Sequence, residues 1–148
     1  MYTIYLKPPA DFQPTVRVAG CFCSNGDEFL LVLRHPDKPQ GGTWGLPAGK
    51  LEQGEEPRVA ASRELFEEVG IRTDPMLLQE VCKIYIRLDH TDYIFYAFHQ
   101  EFNKKPPIVL EDAHPEARWV TIAEALKLPL ILGATEIIDQ YQQYLRKG

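Results

Sequence analysis

The stretch Pro57–Val69 constrains the fold of this chain more than any other. Proline suits the first turn of a helix, where its missing N–H costs nothing, and Gly70 stands where a helix end wants a left-handed residue. At about 100° per residue, Ala60, Glu64, Glu67, Glu68 and Ile71 share one arc, and Val59, Leu65, Phe66 and Val69 share the opposite one. The apolar arc predicts burial against a sheet. Such a helix needs a second layer, and the rest of the chain must supply it.

Strand-forming runs surround the helix. Residues 1–15, rich in proline, read as an irregular or edge segment. Val16–Ser24 and Glu28–Arg34 read as strands joined by the turn signal Asn25-Gly26-Asp27. His35–Thr43 must be a loop, because Pro36, Pro39, Gly41 and Gly42 punctuate it, and Trp44–Leu46 leaves room only for a short strand before Pro47. Leu77–Leu88 and Tyr93–Phe102 read as two further strands across Asp89-His90-Thr91-Asp92. Asn103–Pro115 reads as a loop, Arg118–Val120 as a short strand, and Thr121 as the cap of a brief helix through Leu128. A last helix, Thr135–Arg146, places Ile137, Ile138, Tyr141, Tyr144 and Leu145 on one stripe. The expected fold class is α+β, a mixed β-sheet sandwiched between α-helices.

The 148 residues match the ~150 of a typical domain, so residues 1–148 are expected to form one domain. With 16 basic and 21 acidic residues the formal net charge is -5. That balance argues against a sequence-independent grip on nucleic acid. Cys21 and Cys23 would share one strand face, poorly placed to bond, and with Cys82 they read as free thiols of a reducing compartment. No run approaches the ~20 apolar residues of a membrane span, and the N-terminus lacks signal architecture, so a cytoplasmic location without membrane contact is expected.

Three carboxylates at i, i+3 and i+4 (Glu64, Glu67, Glu68) repel one another, and each close pair costs a few tenths of a kcal/mol if unpaired. Hard oxygen ligands at such spacing are what Mg²⁺ or Mn²⁺ requires. A bare Glu-x-x-Glu-Glu is also what a solvated helix face looks like, so the flanking residues decide. Gly49, Glu55, Arg63-Glu64-Leu65, Glu67-Glu68 and Gly70-Ile71 occupy every defined position of one family signature. With average composition, such a match arises on the order of once in ten million chains of this length. Gly49–Ile71 resembles the Nudix box, and the flanking strands resemble the layout of the Nudix hydrolase family.

The resemblance implies hydrolysis of a nucleoside diphosphate linked to another group, with Mg²⁺ or Mn²⁺ as cofactor and a small nucleotide or related diphosphate as substrate. It makes Glu64, Glu67 and Glu68 metal ligands, with the backbone carbonyl of Gly49 facing a metal as well. Arg63 would hold these carboxylates, and Glu55 would support the site from the loop. Gly49 and Gly70 would permit the turns on either side of the helix. Glu64 is the expected general base; some family members use a later loop, where Glu111, Asp112 and Glu116 are the candidates. Arg34 and Lys50 are candidates for gripping phosphate. Trp44 and Trp119 read as packing anchors, and among Tyr85, Tyr93, Phe95 and Tyr96 a ring could stack on a base. The four histidines share no ligand spacing. Two other functions remain to be separated: a Nudix-like sensor that binds without turnover, and removal of diphosphate from RNA ends. A sensor would be expected to lack catalytic glutamates that this chain keeps, and an RNA enzyme needs a basic track that the net charge disfavours.

Overall fold

A computed structural model describes residues 2–112 and 114–148. The strands are β1 (Tyr2–Tyr5), β2 (Pro14–Asn25), β3 (Glu28–Leu33), β4 (Trp44–Gly45), β5 (Ala48–Lys50), β6 (Gln79–Leu88), β7 (Thr91–Glu101) and β8 (Glu116–Val120). The helices are α1 (Pro57–Val69), α2 (Ile122–Ala125) and α3 (Ala134–Lys147). They build one mixed sheet in the order β1–β6–β7–β2–β3–β4, with β5 paired to β2 and β8 to β3.

Alternation along the strands divides the core into two layers. Ala19, Cys21, Cys23, Leu30 and Val32 pack with Ala60, Ala61, Leu65 and Val69 of α1. Phe22, Phe29 and Leu31, one residue out of phase, pack with Ile137, Ile138 and Tyr141 of α3. Helices therefore cover both faces, as expected. Phe22 and Tyr141 stack at 4.0 Å between ring centroids. Trp44 is buried in the α3 layer and Trp119 packs on the α1 layer, so both act as packing anchors. Cys21 and Cys23 are buried free thiols, and the Cys23 thiol donates to the Cys21 sulfur at 4.0 Å.

Several details depart from the local reading. β2 and β7 pair in parallel over most of their length, a long-range register that no local pattern encodes. The proline-rich start agrees with its reading as an edge segment, since β1 is the edge strand on β6. Ala48–Lys50, just beyond Pro47 and given no element by the local reading, is a strand because it pairs antiparallel with Val18–Gly20. β6 begins at Gln79, since Pro75–Leu77 forms a 3₁₀ turn capped by the Asp74 side chain. α2 stops at Ala125, although Thr121 and Glu124 form the reciprocal capping box at its start. Leu145 of the last helix is exposed, outside the stripe it was assigned to. No helix among the described residues is long and apolar enough to cross a membrane.

Candidate functional site

The site is organised around Arg63. Its Nε and Nη2 donate to the two carboxylate oxygens of Glu55 at 2.8 and 2.9 Å. Nη1 donates to Glu64 at 2.8 Å and to Glu67 at 3.1 Å, and Nη2 also reaches the Lys50 carbonyl at 3.1 Å. Glu52 lies 3.2 Å from Nε. The planar fork of a guanidinium suits this two-pronged grip in a way that a lysine ammonium would not. Glu55 also accepts the Glu52 N–H at 2.9 Å, so the loop into α1 is tied to the helix that follows it. The hydrogen bonds from Arg63 hold the Glu55 carboxyl below its ordinary range.

Glu64 is pressed against Gly49. A Cβ at Gly49 would lie 2.1 Å from the Glu64 carboxyl carbon. Gly49 is thus required for room: it sits in β5 opposite Ala19, and its φ is not among the positive values. The expectation that it permits a turn is corrected on this ground. Gly70 is the conformational glycine, with φ 73° and its N–H donated to the Phe66 carbonyl at 2.9 Å. Burial raises the pKa of Glu64, and the Arg63 hydrogen bond works against that rise.

The helix is rotated from the face expected of it. Glu68 is only 6% exposed, whereas Phe66 is 44% exposed and Val59 is also exposed. Two contacts explain the rotation. Glu68 accepts the Ala48 N–H at 2.7 Å, which draws its carboxylate inward toward β5. Phe66 stays outside beneath the Arg72 guanidinium, 4.3 Å from its ring centroid. Desolvation pushes the Glu68 carboxyl up to about 9, against the pull of the Ala48 N–H.

The loop before β8 closes the other side. The Val109 and Glu111 N–H groups donate to the Val69 and Glu68 carbonyls at 2.9 and 3.2 Å. They satisfy carbonyls that the end of α1 would otherwise leave open. This docking brings Glu111 beside the motif, with its carboxylate 3.0 Å from His114 Nδ1. Glu68, Glu111 and His114 together offer donor atoms all within 4.8 Å of one another. Asp112 and Glu116 are exposed, and Glu116 pairs with Arg118 instead. His114 is the residue that sequence reasoning missed. It lies 46 positions after Glu68, so no ligand spacing could signal it.

A cavity of about 320 Å³ opens beside these groups. Its lining includes the polar or charged Arg34, Lys50 and His114 and the backbone of Gly49, together with Leu46, Tyr93, Phe95 and Ile131. Arg34 is held by a hydrogen bond from Nε to the Pro39 carbonyl. Of the four aromatic candidates, Tyr93 and Phe95 line this cavity; Tyr85 and Tyr96 instead flank the Lys83 ammonium, which lies 5.5 and 5.3 Å from their rings.

A NUDIX domain family model matches residues 14–141. The chain is 31% identical over 139 residues to Phosphatase NudJ of Shigella boydii serotype 4, covering 90% of this chain and 88% of that protein. It is 29% identical over 135 residues to the uncharacterized Nudix hydrolase YvcI of Bacillus subtilis, covering 89% and 80%. A MutT protein from Methanosarcina mazei Go1 has the same fold, with a TM-score of 0.75 at 22% identity over 91% of this chain and 96% of that one. With the matching model spanning most of its length, the chain belongs to the Nudix hydrolase family.

Proposed function

We propose that this chain, working as one domain, is a divalent-cation-dependent hydrolase that cleaves a diphosphate bond in a nucleoside diphosphate linked to another group, such as a nucleoside triphosphate. One observation carries the reading: a single guanidinium, Arg63, serves Glu52, Glu55, Glu64 and Glu67, which leaves acidic charge in excess. Among the described residues, Glu68 has only His114 within ion-pair reach. That excess, together with hard oxygen donors, fits Mg²⁺ or Mn²⁺. Glu64, Glu67, Glu68 and the Gly49 carbonyl would hold the ions. When bound, such ions neutralise the diphosphate and bring the pKa of a water toward neutrality.

The chain's own groups do the rest. Glu64 takes a proton from the attacking water at its carboxylate, which partial burial makes more basic than an exposed one. Arg63 positions Glu64, and Glu55 positions Arg63. Arg34 and Lys50, which line the cavity, grip phosphate oxygens, and its apolar lining receives the nucleoside or the linked group. A panel of nucleoside triphosphates, dinucleoside polyphosphates and sugar nucleotides, assayed with Mg²⁺ and with Mn²⁺ for the nucleotide products of cleavage, tests the reading. No turnover of any diphosphate in the panel would refute it and favour a binding role.

Two expectations follow from the roles assigned. Millimolar Mg²⁺ or Mn²⁺ raises the melting temperature, because the cation binds only the folded arrangement of carboxylates. The double variant Glu64→Gln/Glu67→Gln is more stable than the wild type in chelator and loses the cation response. Thermal melts with and without metal check this, and identical wild-type curves would count against a metal site.

Glu111→Gln separates the two candidate bases. Glutamine keeps an oxygen that can accept the His114 N–H, so the substitution removes basicity without removing that contact. With Glu64 as base, Glu111→Gln lowers kcat by less than ~10-fold, whereas Glu64→Gln lowers it by ~10²-fold or more. The reverse order of effects would move the base to Glu111.

A further inference from the structure

We propose that His114 is a nitrogen ligand of the cation site, so that the site prefers Mn²⁺ to Mg²⁺. This rests on the cation dependence proposed above. His114 Nδ1 lies 3.0 Å from Glu111 Oε1, and that oxygen accepts, so Nδ1 carries the proton. The other nitrogen, Nε2, is then an unprotonated lone pair. It faces Glu68 Oε2 at 3.9 Å, too far for a hydrogen bond. His114 and Glu68 are 8% and 6% exposed, and His114 lines the cavity, so the nitrogen lone pair and the carboxyl oxygen face one another where an ion arriving through the cavity can reach both. The gap is shorter than twice a typical metal–ligand distance of about 2.1 Å.

The surroundings have the form of a built ligand. A metal-binding histidine usually donates its remote N–H to a carboxylate, which fixes its tautomer and makes the bonding nitrogen more basic. Glu111 is placed to do this. Its backbone is anchored in turn, since the Glu111 N–H donates to the Glu68 carbonyl at 3.2 Å and the His114 N–H to the Glu111 carbonyl at 3.1 Å. The positioning carboxylate and the ligating carboxylate are thus tied to the same turn of α1. Imidazole nitrogen is a better donor to first-row transition ions than to Mg²⁺, which demands oxygen. A purely oxygen site would not discriminate in this way.

The test is pulsed electron paramagnetic resonance on the full chain loaded with one equivalent of Mn²⁺. A directly bonded ¹⁴N modulates the echo decay of the wild type, and the modulation disappears in His114→Asn and His114→Gln but persists in the control His90→Asn. Calorimetry supplies a second readout: His114→Asn weakens Mn²⁺ binding by at least ~10-fold and Mg²⁺ binding by less than ~3-fold. Mn²⁺ bound to the wild type without nitrogen coupling overturns the ligand assignment and leaves the carboxylate site standing. Absence of any Mn²⁺ binding overturns both readings. The wild-type spectrum decides the matter even if a His114 variant fails to fold.

Discussion

Replacing Glu68 by glutamine lowers kcat by at least ~10²-fold while leaving the fold in place. One decade of rate corresponds to about 1.4 kcal/mol, so the expected loss is roughly 3 kcal/mol of transition-state stabilisation, within the range a metal ligand supplies. The fold survives because the structural duty of Glu68 is to accept the Ala48 N–H at 2.7 Å, and an amide oxygen can do the same. In chelator the variant melts at or above the wild-type temperature at neutral pH, because an amide is buried without the proton uptake on folding that the Glu68 carboxyl, pushed up to about 9, requires. Steady-state kinetics alongside thermal melts check both halves. Near-normal turnover would remove Glu68 from the metal site, and a collapsed melting curve would recast it as a structural residue.

The second large effect comes from the smallest substitution. Gly49→Ala lowers kcat by ~10²-fold or more, although alanine is acceptable to the backbone there. The added methyl would stand 2.3 Å from both Glu64 carboxylate oxygens, so the carboxylate must move by an ångström or more. Displacement of a reacting group by about 1 Å can cost ~10²-fold in rate. The Arg63 hydrogen bond to Glu64 would be strained by the same movement. Since Gly49 lies in a strand, circular dichroism should remain that of the wild type and KM should change less than kcat. The variant Gly70→Ala provides the contrast. Its φ of 73° makes alanine strained, so it should lose stability first and activity only as a consequence. If Gly49→Ala kept its rate, Glu64 would have room that the packing denies it.

How much of this was legible beforehand depends on the range of the interactions involved. The bounds of α1 were readable because Pro57 and Gly70 act through their own backbone. The two-residue turn at Gly26 and Asp27, and the capping box at Thr121 and Glu124, were readable for the same reason. The grouping of Arg63 with Glu55, Glu64 and Glu67 was implied only by the resemblance to the family signature, although all four lie within thirteen residues. Which way α1 turns was not readable. The apolar moment pointed to Val59 and Phe66, yet a single N–H of Ala48 and the Arg72 guanidinium set the rotation and left both residues outside.

The chain's order of residues by itself determined the sheet's two-sided apolar pattern, the helix that carries the acids and the reaction class those acids serve. Only the tertiary structure decided the parallel pairing of β2 with β7, the placing of Tyr93 and Phe95 on the cavity side, and the meeting of Glu68 with Glu111 and His114. Local contacts are encoded by spacing, because neighbouring residues meet whatever the rest of the chain does. Residues more than forty positions apart meet only when the whole sheet and its loops have closed, and in this chain that closure is the docking of Val109 and Glu111 onto the last carbonyls of α1.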